Sequence, residues 1–215
     1  MVMRNQHAII MLRGFLFTCV LTCTLETQGD PAPEAFVAKQ VATRTLSADL
    51  KQTLHWTLPP RHVESSGRFF YQAPDSLCIR LTNAAPEIVV VRGRDLYIKR
   101  GDQPLTHAIL EDRDGKPTQN VQFLLSFFQN GCTNYSGLFN LKTSVSTNTM
   151  TVTLTPKDSL NLFPLQRVTN LLDWPSMEIH SMRIGLIFNS YISYDFCNVV
   201  RNQTLAAHVF DLPPR

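Results

Sequence analysis

The chain has 215 residues, a formal charge of +3, 44% hydrophobic and 17% charged residues. That length holds one domain or at most two, and that composition excludes a disordered chain and a multi-span membrane protein. A charge this small, with no Lys/Arg block, leaves no electrostatic footprint for nucleic acid.

In chain order, Arg4 and Arg13 precede an apolar run over residues 14–25. The run is too short to span a bilayer, which needs roughly 20 residues, and a basic segment before a short apolar one reads as a secretory signal. Thr27 and Gly29 are small residues suited to a cut before Asp30, so residues 1–29 are the expected signal peptide and 30–215 the mature domain. Removal takes away Arg4, Arg13 and Glu26, leaving a charge of +2. A short buried helix is the alternative, but the run has no polar face. Val20-Leu21-Thr22-Cys23 is also a loose lipobox, so Cys23 is either a lipid anchor or a small hydrophobe within the signal. Cys78, Cys132 and Cys197 remain in a processed soluble chain. An oxidising compartment permits one bridge among them and leaves one thiol, with buried free thiols as the alternative.

Residues 32–46 predict a helix opened by Pro33-Glu34. Residues 46–58 then alternate: Leu46, Ala48, Leu50, Leu54, Trp56 and Leu58 share one face, interrupted by Gln52. Such a period of two means a long, half-buried antiparallel strand. Strands are expected at 67–72, 77–81, 88–91 and 96–98, the last two joined by a hairpin whose Gly93 supplies positive φ. Residues 103–119 are polar, with an exposed loop at 112–117. Residues 121–128 are apolar almost all round and predict a short helix, buried in a core or lying over an apolar opening. Further strands are expected at 137–143, 150–154, 165–172, 177–184, 187–198 and 209–210. About ten strands with two or three helices fit an α+β, mainly β fold: an incomplete antiparallel β-barrel, a curved sheet closed by short helices.

The chain lacks G-x-S-x-G, the P-loop, G-x-G-x-x-G and H-E-x-x-H, and its histidines have no metal-ligand spacing. No catalytic group, cofactor or metal is expected, and the chain does not read as an enzyme. What it carries is bulk on alternating strand positions, either a packed core or the wall of an apolar cavity. The candidates for that wall are Leu50, Leu54, Trp56, Phe69, Tyr71, Leu77, Ile79, Leu81, Phe123 and Phe127.

Five segments in order resemble the LolA-like outer-membrane lipoprotein carriers. Residues 36–52 are similar to the family's opening helix and first strand, with Leu50 where Phe is common. Gly67-Arg68-Phe69-Phe70-Tyr71-Gln72-Ala73-Pro74 is similar to "G-x-l-w-v-K-R-P", and residues 87–98 to "q-l-l-V-s-D-G-k-t-l-w-l". Residues 152–157 and the closing Val209-Phe210-Asp211-Leu212-Pro213-Pro214 complete the series. Two positions depart from it: Ala73 replaces the arginine implicated in holding the closed state and passing cargo on, and Arg92 replaces Asp before Gly93.

The resemblance implies a periplasmic chaperone that shields lipoprotein acyl chains in an apolar cavity between inner and outer membranes. It implies lipidated proteins as cargo, an inner-membrane release complex, an outer-membrane acceptor and transient membrane-surface contact, with 32–46 and 121–128 as lid segments. The alternatives within the fold are a lipid-anchored acceptor of LolB type and a regulatory module of RseB type. For chain isolated from host envelopes, the mass spectrum is expected to give Asp30 as the first residue. A lipid-modified Cys23 at the N-terminus would instead identify the anchored form.

Overall fold

The computed structural model describes residues 32–82, 86–110, 120–131, 133, 137–157 and 164–212. The expected signal peptide, Cys23, Cys132, the 112–117 loop and Pro213-Pro214 lie outside them. The elements are α1 (Ala32–Val41), β1 (Thr45–Thr57), β2 (Pro60–Gln72), β3 (Ser76–Leu81), β4 (Glu87–Arg92), β5 (Asp95–Arg100) and β6 (Thr106–Ile109). After them come α2 (Val121–Asn130), β7 (Phe139–Val145), β8 (Thr149–Pro156), β9 (Leu165–Asp173), β10 (Ile179–Leu186), β11 (Tyr191–Arg201) and a 3-10 turn at Ala207–Phe210.

All the described strands form one antiparallel sheet, in the order β6-β5-β4-β3-β2-β1-β11-β10-β9-β8-β7. The first strand pairs with the last, so β1 sits mid-sheet and two meanders run outward from it to the edges β6 and β7. These edges do not pair, and the barrel stays open. The chain returns from one edge to the other through α2, which therefore lies inside the curve. A register shift between Ser47 and Asp49 of β1 supplies the local bend that bulges give.

The concave face follows from period-two alternation. Leu46, Ala48, Leu50 and Gln52 of β1 are buried, as are Phe69 and Tyr71 of β2, Leu77, Ile79 and Leu81 of β3, and Tyr194 and Phe196 of β11. From Val121 to Phe128 every residue of α2 is buried, so its all-round apolar sequence reflects a helix enclosed on all sides. Phe128 is the wedge: its ring lies 5.1 Å from Phe69, 5.5 Å from Tyr71 and 6.1 Å from Phe196. Truncating such a residue to Ala costs roughly 3–5 kcal/mol.

The outer helix α1 leans on α2 through Phe36, whose ring is 5.5 Å from Phe127. Val37 also packs against the core, and Gln40 is fully buried with neither amide atom hydrogen-bonded. An unmet buried polar group costs about 1–3 kcal/mol, a cost that α1 carries at Gln40.

On the convex face, Val209 of the closing segment covers Cys78 and Val90. Arg80 donates to the Val209 carbonyl at 2.9 Å, and Arg92 to that of Phe210. The arginine before Gly93 thus ties down the C-terminal strap. Cys78 is free and buried, its thiol pushed up by that burial, and Cys197 is free and exposed.

Several sequence expectations are corrected. Residues 209–210 form a 3-10 turn, because both carbonyls bond arginine side chains rather than a neighbouring strand. The first helix ends at Val41, and β2 starts at Pro60 rather than Gly67. The early half of β2 alternates weakly in hydropathy and is placed by its full register with β1. Strand β6 is an edge strand with Thr106 and His107 exposed, held by backbone bonds to β5, so no apolar period marks it. Residues 187–190 are a turn, with Phe188 and Asn189 at φ 54 and 56.

Glycine is required where elements touch. A Cβ at Gly67 would stand 1.8 Å from the Arg80 carbonyl oxygen, which explains a glycine inside a strand. Gly131 caps α2 at φ +65, and its Cβ would meet the Phe36 ring at 2.4 Å. Gly131→Ala therefore combines a left-handed strain of about 1–2 kcal/mol with a clash against α1. A melting midpoint lowered by at least about 3 °C is expected; an unchanged thermal melt would contradict this packing.

Candidate functional site

Helix α2 covers only part of the concave face. Beyond its N-terminal end lies an open cavity of about 530 Å³. Its apolar wall comes from Leu54 of β1, Val63 of β2, Ile79 and Leu81 of β3, Val89 of β4, Leu96 and Ile98 of β5, Val121 of α2 and Ile192 of β11. The volume falls in the range of small-molecule sites. The cavity exists because β1, β2 and β11 run on past the helix; β2 alone has 13 residues against 6 in β3.

Polar groups interrupt the wall at two levels. Gln52 pairs in register with Tyr194 on one side and Ser65 on the other, and all three are buried. They make a polar belt across three strands, between the packed aromatic floor and the open end. The Gln52 interruption in the alternation of β1 is therefore a feature of the cavity. Nearer the rim, Arg100 donates to the Glu87 carboxylate on the neighbouring strand, and Arg61 and Gln103 also line the opening. The cavity is amphipathic, suited to a ligand with an apolar body and a polar head.

The ten residues expected on the wall divide into two groups. Leu54, Ile79 and Leu81 line the cavity, and Trp56 is half-buried beyond Leu54 on the same strand. Leu50, Phe69, Tyr71, Leu77, Phe123 and Phe127 belong to the packed core with α2. Sequence reasoning missed Val63, Val89, Leu96, Ile98 and Ile192 as cavity residues, although each lies on the apolar phase of its strand. Ala73 sits at the edge of the core, where the Pro74 carbonyl accepts a 2.9 Å hydrogen bond from Gln129 of α2. That bond ties the end of the helix to the β2–β3 turn. Among the described residues no group of His, Cys, Asp and Glu is placed to hold a metal ion. Among them, too, no helix is long and apolar enough to cross a membrane.

The family model described as "Outer membrane lipoprotein carrier protein LolA" matches residues 42–213. No curated protein matches the chain in sequence. Among solved structures, a LolA superfamily protein from Nitrosomonas europaea aligns at 9% identity and TM-score 0.45, over 84% of this chain and 98% of its own. A putative outer membrane lipoprotein-sorting protein domain from Vibrio parahaemolyticus aligns at 7% identity and TM-score 0.45, over 84% and 96%. MucB in the MucA/MucB complex of Pseudomonas aeruginosa aligns at 10% identity and TM-score 0.48, over 86% of this chain and 62% of its own.

The belt and the floor hold two unusual tyrosines. Burial pushes Tyr194 from 10.0 up to about 12; a hydrogen bond with Gln52 opposes this and the Glu87 charge adds to it. Burial also raises Tyr71 to about 12, helped by Asp75. Folded tyrosines that hold their protons more tightly than unfolded ones stabilise the fold below pH 10, and this stability is lost as the pH climbs toward 12. The chain is thus expected to unfold cooperatively in that window, with the last tyrosinate absorbance rising together with loss of the β-sheet circular dichroism signal. Tyr71→Phe should shift the transition upward. Full tyrosinate formation in a still-folded chain would contradict the burial of both rings.

Proposed function

This chain belongs to the LolA family of carrier proteins, and we propose that it is a periplasmic chaperone that shields the acyl chains of lipidated proteins and carries them from the inner to the outer membrane. The observation that carries the reading is the open cavity on the concave face, where Leu54, Val63, Ile79 and Ile192 form an apolar wall accessible from one end. Exposing an acyl chain to water costs about 0.8 kcal/mol per CH₂, so a lipidated protein cannot cross an aqueous compartment unshielded. A pre-formed cavity with an apolar wall offsets part of that cost without first unfolding anything.

In this reading Leu54, Trp56, Ile79 and Leu81 contact the chain of the cargo. Leu50, Phe69, Tyr71, Leu77, Phe123 and Phe127 are the floor, reached only when α2 moves outward. Helix α1, bound through Phe36 and carrying the unsatisfied Gln40, is the element that yields first. The polar head of the cargo stays at the rim beside Arg61 and Arg100. Cargo moves from a release complex at the inner membrane to an acceptor at the outer one by tighter binding at each step. Residues 1–29 would be removed on export. The Val20-Leu21-Thr22-Cys23 sequence supports a second reading, an anchored acceptor with the same cavity.

A fluorescent fatty acid reports on the cavity directly. The mature chain should bind it, and Leu54→Asp, which sets a carboxylate in the half-buried wall, should weaken binding by roughly tenfold or more while leaving the melting midpoint close to that of the parent. No uptake by the parent chain, or equal uptake by a folded Leu54→Asp variant, would refute the carrier reading.

A further inference from the structure

We propose that the joined tips of the β1–β2 and β10–β11 hairpins form a docking element that seats the mouth of the cavity on an anionic lipid surface. Leu58 at one tip is 66% exposed and Phe188 at the other 61%, values far from those of a buried hydrophobe. Among the described phenylalanines Phe188 alone is exposed. The tips are neighbours: β1 and β11 are in register up to His55 and Tyr191, and two residues further on the Thr57 amide donates to the Ser190 hydroxyl at 3.1 Å. Phe188 and its neighbour Asn189 both adopt left-handed backbone, which a bulky side chain rarely does. The turn presents the phenyl ring outward, where it packs against no core.

Among the described residues, the charged side chains next to the tips are arginines. Arg61 follows the first tip; Arg183 and Arg167 lie on the strands behind the second, with the Arg183 guanidinium 3.7 Å above the Tyr191 ring. Moving inward along β2 and β11, the first described carboxylates are Glu64 and Asp195, both on the rung of Lys51 or beside it. Exposed apolar side chains with arginines close behind them, the Glu87 carboxylate at the mouth being held by Arg100, are complementary to an anionic interface, where apolar insertion and charge attraction add. A tyrosine capped by an arginine suits the headgroup level, because it is apolar in body and polar at its end. The placement has a purpose: Arg61, Leu54 and Ile192 belong both to this end and to the cavity wall, so a chain leaving the bilayer there would enter the cavity without crossing water.

The inference extends the carrier reading but stands on the tips alone, and its test separates the two. The full mature chain is mixed with vesicles of equimolar phosphatidylcholine and phosphatidylglycerol, and with vesicles of phosphatidylcholine only, and floated on a density gradient. Binding is expected to the anionic vesicles, weakening as salt is raised. The double variant Leu58→Ser, Phe188→Asn should lose roughly tenfold in apparent affinity while taking up the fluorescent fatty acid like the parent. Asparagine suits the left-handed backbone at 188, so the variant keeps its fold, checked by its melt. Vesicle binding equal to the parent's, no binding by the parent at low salt, or a parent dimer in sedimentation that the variant dissociates would each overturn the proposal. Absence of fatty-acid uptake by a parent chain that binds the anionic vesicles would instead count against the carrier reading only.

Discussion

The contact between Phe128 and the rings of Phe69, Tyr71 and Phe196 governs the shape of this molecule. A curved antiparallel sheet that does not close has a concave apolar face and two free edges, and neither tolerates water well. Helix α2 solves the first problem over part of the face by placing Phe128 against rings of β2 and β11. It is led there by topology, because the chain must pass from β6 at one edge to β7 at the other, and the interior of the curve is the short way round. Another part of the concave face is left as the cavity. Core and cavity are therefore one surface, divided by where the helix stops.

That division is sharpened by polar groups that a simple apolar container does not need. Gln52, Tyr194 and Ser65 lie on one rung of the sheet at the boundary. Burial of such groups costs free energy unless they bond one another, and here the tyrosine and the amide do so. The belt separates a floor that is packed against α2 from a mouth that is not. In the proposed carrier role an acyl chain in the mouth would meet aliphatic wall up to that belt, and its polar end would meet Arg61, Glu87 and Arg100.

The two ends of the structure are built differently. At the helical end, α1 and α2 are clamped by Phe36 against Phe127 and by Gln129 on the Pro74 carbonyl, with Gly131 making room. At the opposite end the hairpins of β1–β2 and β10–β11 carry Leu58 and Phe188 in the open, with Arg61 and Arg183 close behind them. The convex side is closed by the C-terminal strap, which Arg80 and Arg92 hold by its carbonyls. Replacement of the family's Asp by Arg92 thus has a local structural account, and Ala73 leaves the helix clamp to Gln129.

Much of the architecture was legible in the residues. The alternation from Leu46 to Trp56, the apolar run of 121–128 and the Gly93 hairpin announce a central strand, an enclosed helix and a meander, because side-chain periodicity and turn chemistry are local properties. The ten candidate wall residues were all placed on the inner side, and all but Leu54 and Trp56 of them are fully buried. Which of them meet a packed helix and which meet open space was not legible, since both environments demand the same apolar period. That choice was made by the length of α2 relative to β1, β2 and β11, a relation between distant segments. The edge strand β6 and the C-terminal strap escaped detection for a related reason: backbone pairing and arginine-to-carbonyl bonds leave no hydrophobic pattern behind. Sequence alone determined most of the strands, the inner face and the family resemblance. The tertiary structure decided where the helix ends, and with it which part of one continuous apolar face became core and which became cavity, because a surface becomes a cavity only where no neighbour fills it.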